Sequence, residues 1–409
     1  MGCEVSPVAR ARRPNPLTGV VNHIEVLQSP QAGDAVLLVA NYESDVGYAW
    51  WLMENFWNLI ATRMAAEGRP CILAYPRIGA IPSIIRSSPI EVIEFPFMYQ
   101  TWRDVWRGLA LIRSRRIRSI YLTDWPYLHW VYFLWRLAGV RRIVLHDHQP
   151  GDRPALGGMQ ARIKDLLHSM SVLSATMNVA VSSYIGRRLQ ANARVPARRS
   201  TVVTNGIQPF ERRSVNGADV RDRIGIPRGA VLIVMVSRAT YYKGLDFAVR
   251  CMARLLEDAS LRPTVFAVHC GDGPDLDDFV GMTREAGISD NCRFLGRRQD
   301  VRDILCSADI AFHPSNGEAM SLAILEFMSA ELALVTPDLP SVCTAIEPDV
   351  NGLVYKHQDV EAAVAALRLL VRDPARRRSL GTAAATACRT RYSLDVMNRT
   401  FVERVVPAL

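Results

Sequence analysis

Short β-branched apolar runs alternate along this chain with longer segments in which apolar residues recur at helical spacing, the pattern of parallel α/β layers. In the first half, runs at 35–41, 71–75, 91–95, 119–124, 142–146, 178–182 and 201–204 predict strands. Segments 50–66, 102–116, 128–138, 159–173 and 184–191 predict the helices between them. The second half repeats the arrangement. Its strands are predicted at 231–236, 264–269, 293–295, 310–313, 333–336 and 352–355, and its helices at 245–258, 276–286, 300–307, 322–330 and 360–372. An amphipathic helix at 392–409 closes the chain. The stretch GIQPFERRSVNGADVRD, starting at Gly206, is polar and turn-rich and divides the two halves. The predicted organisation is a disordered basic tail at 1–30, an N-terminal domain at 31–207, a linker at 208–222 and a C-terminal domain at 223–390. The last segment, 391–409, is expected to pack back toward the N-terminal domain. The fold class is α/β: two doubly wound, Rossmann-like parallel-sheet domains facing across a cleft. Such domains bind ligands at the carboxyl ends of their strands, one ligand per domain.

Composition and charge narrow the partners. The 409 residues suffice for two separate cores. No apolar run reaches the roughly 18–20 residues that a membrane-spanning helix needs. The N-terminal segment lacks the apolar centre of a secretory signal, so a cytoplasmic location is expected. Eight cysteines are scattered without Cys-x-x-Cys spacing, which speaks against a zinc site and a disulfide framework. The net charge of +9 is uneven. Residues 1–200 hold 24 lysines and arginines against 14 acidic residues, whereas residues 201–409 hold 25 against 26. All eight tryptophans also fall in the first half. A basic, Trp-rich half makes an anionic membrane surface, met peripherally on the inner face, a candidate partner. No nucleic-acid-binding module accompanies the cations, so nucleic acid is not expected.

The segment FHPSNGEAMSLAILEFMSAELALVTPD, from Phe312, reads as strand end, loop, helix and return strand. Glu318 falls where the loop turns into the helix, and Ser321 is placed to cap it. Glu326 lies on the helix in an otherwise apolar run, where a carboxylate needs water, a cation or a ligand hydroxyl. Free N–H groups at the helix start seat an anion. Two hydroxyl acceptors around an anion seat suit a nucleotide-sugar. Taken alone, the same pattern is equally an amphipathic helix with one solvated glutamate.

Other stations follow strand ends. In VLIVMVSRATYYKGLD, from Val231, Arg238 and Lys243 stand five residues apart after a buried strand. They can clamp a diphosphate, Arg as a planar fork and Lys as a point charge; the plain alternative is two solvated cations. In VHCGDGPD, from Val268, Gly271 marks either backbone close to a ligand or a tight turn. It is not a dinucleotide fingerprint, because Pro274 occupies the place of the helix opening. IVLHDHQPGD ends a strand with His146 and His148, and His146 is the first polar residue after it. No third ligand stands at useful spacing, so no metal is expected there. In NYESDVGYAWWLMENFW, Glu43 and Asp45 either orient an acceptor hydroxyl or cap the following helix. In TWRDVWRGLALIRSRRIR, Trp102, Val105, Trp106, Leu109 and Ile112 share one helical face with a cationic fringe. That stripe is expected to be a core face, with contact to an anionic leaflet as the alternative.

In order along the chain, SRATYYKG, CGDGP, CRFLGRRQDV, ADIAFHPS, the Glu-x7-Glu segment, TPDLPS and NGLVY match the C-terminal domain of one large family. VSSYIGRRL and VVTNGI match the closing segments of its N-terminal domain. The chain resembles the retaining nucleotide-sugar glycosyltransferases of the GT-B fold, family-4 type, over roughly residues 35–400 and most strongly after residue 178. The resemblance implies a hexosyltransferase that moves a hexose from a nucleoside-diphosphate sugar to a glycan or lipid-linked acceptor, in polysaccharide or glycolipid biosynthesis. It implies no metal and no other cofactor. The N-terminal domain would take the acceptor and the C-terminal domain the donor.

Residue by residue, Arg238 and Lys243 would bind the diphosphate, and Glu326 the ribose. Glu318 would sit near the donor sugar, and the N–H groups of Met320, Ser321 and Leu322 would touch sugar or phosphate. The base would rest near Leu295 and Arg298. His146 would approach the reaction centre, with His148, Gly47, Glu43 and Asp45 on the acceptor side. Members of the family usually carry Gly at the position of Ser321 and Gly-x-Pro at the positions of Glu331–Ala333. These departures leave open a decayed nucleotide-sugar-binding module, and a nucleotide-sugar epimerase on the same fold is a separate alternative.

Overall fold

Every predicted strand is present, and all of them pair in parallel. The computed structural model describes residues 33–47, 50–97, 101–151, 153–212 and 217–409; the predicted tail lies outside them. The first half runs β1 (Ala35–Val39), α1 (Trp51–Ala66), β2 (Cys71–Tyr75), α2 (Ser83–Arg86), β3 (Ile90–Glu94), α3 (Trp102–Ser114) and β4 (Ile117–Thr123). It continues through α4 (Trp130–Leu137), β5 (Arg142–Asp147), α5 (Gly158–Ser169), β6 (Met177–Ala180), α6 (Ser183–Ala191) and β7 (Ser200–Val202). The second half runs α7 (Gly217–Arg223), β8 (Val231–Val236), α8 (Leu245–Leu255), β9 (Val265–Cys270), α9 (Leu276–Glu285), β10 (Cys292–Phe294), α10 (Val301–Ser307) and β11 (Ile310–Phe312). It ends with α11 (Leu322–Ser329), β12 (Ala333–Pro337), β13 (Leu353–Tyr355), α12 (Val360–Arg372), α13 (Pro374–Arg391) and α14 (Leu394–Arg404).

The strand orders are β3-β2-β1-β4-β5-β6-β7 and β10-β9-β8-β11-β12-β13. In each sheet the order reverses once, between β1 and β4 and between β8 and β11. A crevice opens at such a point, because the connections leave it in opposite directions. Both faces of both sheets are covered, so the strands read as unbroken apolar runs. In β1, Val36 and Leu38 join the core under α1 and α14, while Ala35, Leu37 and Val39 join the one under α3 and α4. In β8, Leu232 and Val234 face one core, and Ile233 and Met235 the other.

The chain crosses between domains twice, side by side. Ile207 N–H donates to Tyr392 O at 3.0 Å and Leu394 N–H to Ile207 O at 2.6 Å. A Cβ on Gly206 would lie 2.5 Å from Ser393 O, so this crossing needs glycine. Beyond it α14 packs on α1: Asn55 Nδ2 donates to Asn398 Oδ1 at 2.8 Å, and the Phe56 and Phe401 rings stack at 4.4 Å.

Three helices escape the apolar pattern. α2 is a single turn, and α7 occupies the end of the segment read as linker. α13 is eighteen residues long, yet its buried stripe is mostly small: Leu380, Gly381, Ala384, Ala385, Ala387 and Cys388. The Asp373 side chain caps it, accepting from Arg376 N–H at 2.8 Å, and Pro374 opens its first turn. The α3 stripe also divides. Val105, Leu109 and Ile112 are buried, but Trp102 and Trp106 stand in solvent, so the expected core face covers only part of the stripe. Cys71, Cys251, Cys270, Cys292, Cys306 and Cys388 are buried, and the described cysteines form no disulfide.

Candidate active site

The loops after β8 and β11 interlock at the second sheet's reversal. Gly244 opens α8 with φ +70°, and a Cβ there would lie 2.1 Å from Pro314 O. Asn316 N–H donates to Tyr242 O at 3.0 Å. This packing brings Lys243 Nζ to 2.6 Å from Glu318 Oε1, and His313 Nε2 lies 3.0 Å from the same oxygen. Glu318 is only 7% exposed. Burial pushes its carboxyl up, but Lys243 and His313 outweigh burial and hold it down at about 2. Arg238 is exposed and forms no ion pair with a described residue, so its guanidinium is open to a ligand.

Gly271 and Gly273 shape the Arg238 loop. A Cβ on Gly271, at φ +144°, would lie 1.8 Å from Ser237 O. One on Gly273 would lie 2.3 Å from Ala239 O. Ala239 N–H donates to Asp272 O at 3.0 Å, so the glycines admit a backbone-on-backbone contact that props the loop. Leu295 N–H donates to His269 O at 2.8 Å, which places the end of β10 beside it. Arg298 is held by Asp300 through two 2.8 Å contacts.

α11 begins as the sequence predicts, with Ser321 Oγ accepting from Ile324 N–H at 3.4 Å. Ser321 has φ −72°, an ordinary backbone that makes no demand for glycine. The N–H groups of Met320, Ser321 and Leu322 donate to no described residue. Glu326 is half-buried and forms no ion pair with a described residue. Burial raises its carboxyl above the usual value, and Arg302 offsets this in part.

The first sheet's reversal presents the loop after β1 and the end of β4. Gly47 has φ +73°, and a Cβ on it would lie 3.4 Å from Nη2 of Arg297 in the other domain. Glu43 pairs with Arg77 at 3.3 Å, and the Asp45 carboxylate lies over Gly79. Neither caps α1, whose N-terminus has no side-chain cap. Asp124, at φ +57°, accepts from His148 N–H at 2.6 Å. Burial pushes its carboxyl up to about 7.

The two histidines separate in environment. His146 is fully buried, its Nδ1 is 2.5 Å from Tyr121 Oη, and Phe56 and Phe401 flank its ring. His148 is half-buried at the strand end, and burial pulls its imidazole down to about 4. The two imidazoles therefore stand at different depths of the strand end, His146 inside the core and His148 at its rim. Asp147, between them, is paired at 2.9 Å with Arg188 of α6, both side chains being almost wholly buried. Arg188 also donates to Gly151 O at 2.7 Å.

The sites of the two domains meet. Ser182 Oγ donates to Ala319 O at 2.7 Å, so the start of α6 touches the loop that carries Glu318. The sequence reading missed Asp124, Asp147, Arg188 and His313. Asp124 and His313 each lie at the carboxyl end of a predicted strand, a signal that could have found them. Asp147 and Arg188 are joined only by folding. Among the described residues, no group of three His, Cys, Asp or Glu side chains is placed to hold a metal.

Residues 53–209 match the family Glycosyltransferase Family 4, and residues 218–387 match the family Glycosyl transferases group 1. A D-inositol 3-phosphate glycosyltransferase of Thermobispora bispora is 23% identical, over 92% of this chain and 91% of its own. Of another relative, an uncharacterised glycosyltransferase of Methanocaldococcus jannaschii, the chain spans 52% of the length at 26% identity. The fold is shared with a glycosyltransferase of Rickettsia africae, at TM-score 0.71 and 14% identity, over 90% of this chain and 97% of that one. It is also shared with an Anabaena protein solved with UDP, at TM-score 0.69 and 17% identity, over 92% and 100%. Matched in order across both domains, on the GT-B fold of solved glycosyltransferases, the chain belongs to the group 1 glycosyltransferases.

Proposed function

We propose that this glycosyltransferase moves a hexose from a nucleoside-diphosphate sugar to a hydroxyl of a glycan or lipid-linked acceptor, with retention of configuration and without a metal. The observation that carries the reading is the meeting of two sets of groups at the two sheet reversals. On one side stand the open Arg238, the Lys243–Glu318 pair and the unused N–H groups at the start of α11. On the other stand Asp124 and His148. Arg238 and Lys243 take the diphosphate, and their charge stabilises it as it leaves. Glu326, half-buried and without an ion pair among the described residues, accepts from ribose hydroxyls. As the bond from the sugar's anomeric carbon to phosphate oxygen breaks, the acceptor oxygen bonds to that carbon and its proton passes to the departing phosphate. The solved Anabaena neighbour, which also has a structure with UDP-glucose, supports a donor of this class.

A thermal-shift panel of UDP, GDP, ADP and their sugar conjugates tests the reading, because a ligand of the native state alone raises the melting temperature. One nucleotide should shift the wild type and lose its effect in Glu326→Ala. Turnover of the matching sugar should fall in Arg238→Ala. No shift with any nucleotide, together with no turnover, would sink the assignment.

A further inference from the structure

The described residues include sixteen large apolar side chains that are exposed, and ten of them lie between Trp102 and Val172. They gather on α3, α4, α5 and the turn Ser171–Leu173. These elements are contiguous: the Trp102 and Trp130 rings are 5.3 Å apart, and His129 N–H donates to Leu173 O at 3.0 Å. Trp102, Trp106, Trp130 and Phe133 are 68%, 65%, 47% and 43% exposed. At about 200 Å² per aromatic side chain, these four alone expose roughly 450 Å². That already equals the largest apolar patch of a typical monomer, about 300–600 Å². α5 adds Ile163 and Leu166, and of its twelve residues only Ala161 and His168 are buried. Its apolar side therefore turns outward.

The charge on this face has one sign. α3, α4 and α5 carry Arg103, Arg107, Arg113, Arg136, Arg162 and Lys164 against Asp104 and Asp165. Both acids are committed: Asp104 to the capping box with Thr101, and Asp165 to a two-point pair with Arg194 at 2.9 and 2.7 Å. Arg107 pairs with Asp104 at 3.8 Å, whereas Arg103, Arg113 and Arg162 form no ion pair with a described residue. Tryptophans beside such arginines suit the boundary between lipid headgroups and acyl chains. In a parallel sheet each helix returns antiparallel to its strands. The first turns of α3, α4 and α5 thus lie at the sheet edge that holds Asp124 and His148.

We infer that this face docks on an anionic lipid bilayer, with the aromatic ends of α3 and α4 in the headgroup region. The docking stands independently of the proposed reaction. That it brings a lipid-linked acceptor to the Asp124 edge rests on the proposed reading.

The test is co-sedimentation of the full chain with vesicles of phosphatidylcholine alone or mixed with phosphatidylglycerol. Nucleotide binding by thermal shift and oligomeric state by analytical ultracentrifugation are measured in parallel. Wild type should sediment with the anionic vesicles only, and raised salt should weaken it. Trp102→Ser with Trp106→Ser, and separately Arg103→Glu with Arg162→Glu, should each lower the partition at least about tenfold. Both variants should keep the wild-type nucleotide shift and melting temperature, which separates failed docking from a failed site. Absence of binding to anionic vesicles at low salt overturns the inference, as does undiminished binding by both variants. So does a dimer that the tryptophan variant dissociates while no vesicles are bound, which would assign the face to a second copy.

Discussion

Lys243 Nζ lies 2.6 Å from Glu318 Oε1, joining the two loops that flank the point where the second sheet reverses. The cation is thus fixed by a neighbour on another strand rather than left to solvent, and Gly244 against Pro314 makes the approach possible. Arg238, on the same loop, has no such partner among the described residues. In the proposed reaction a diphosphate would meet one prepositioned cation and one open fork. Lys243→Ala should lower kcat by about 100- to 1,000-fold, the range for removing one preorganised electrostatic group. Arg238→Ala should raise KM as well, because it also loses ground-state binding. Steady-state kinetics on both variants checks the split, and wild-type kcat in Lys243→Ala would disprove the role.

Glu318 makes stability depend on acid. Its folded carboxyl is held near 2 against an ordinary 4.5. Between these values the unfolded chain binds a proton that the folded chain does not, so stability rises with pH. The contribution is complete above 4.5 and is lost as pH falls through about 2. It is on the order of 3 kcal/mol. Urea unfolding of wild type and Glu318→Gln should show a constant gap at neutral and mildly acidic pH that closes as the solution is acidified below 4.5. A gap that does not change with pH contradicts this account.

The Asp147–Arg188 pair is buried, so its loss should be severe and uneven. Among the described residues, Arg188→Met leaves a carboxylate in the core with only Tyr127 Oη and Gln149 N–H as donors. The expected cost is about 3–5 kcal/mol. Arg188→Met combined with Asp147→Asn should cost less than the sum of the two, because no unpaired charge remains. Denaturant midpoints for the three variants give the coupling; simple additivity would mean that the pair is not coupled. Since Arg188 also holds Gly151 O, the single variant should loosen the segment around His148.

Each strand was legible because it is a short apolar run bounded by turn residues, and its carboxyl end is where a parallel sheet exposes chemistry. Arg238, Lys243 and Ser321 follow from that rule. Asp147 and Arg188 do not, because they are 41 residues apart and no local pattern ties them. His146 and His148 stand two residues apart at one strand end, and the sequence does not show how deeply each is buried. They differ because alternate residues of a strand end meet different depths of core, and the seal over His146 includes Phe401 from the far end of the chain. Trp102 and Trp106 were drawn toward the core by periodicity alone. A stripe that includes Val105, Leu109 and Ile112 is already wide enough to fill the interface, which leaves the tryptophans outside. α13 was hidden for the opposite reason, its buried face being built mostly of small residues.

The contact between α11 and α13 yields a prediction that runs against local propensity twice. α11 ends with Leu332 N–H donating to Phe327 O and Glu331 N–H to Met328 O, both at 3.1 Å, and with Glu331 at φ +58°. This is a Schellman ending, whose left-handed position ordinarily belongs to glycine. The strain of a left-handed non-glycine residue is about 1–2 kcal/mol, and glycine returns roughly 0.5–1 kcal/mol through its freer unfolded chain. Glu331→Gly should therefore stabilise the protein by about 0.5–1 kcal/mol. Across the contact, a Cβ on Gly381 would lie 2.0 Å from Glu331 O. In an isolated helix Gly→Ala is stabilising by about 1 kcal/mol; here Gly381→Ala must push α13 off the turn and should destabilise by more than that. Urea midpoints with an unchanged slope would report both signs cleanly. A stabilising Gly381→Ala would mean that α13 does not lie against this turn.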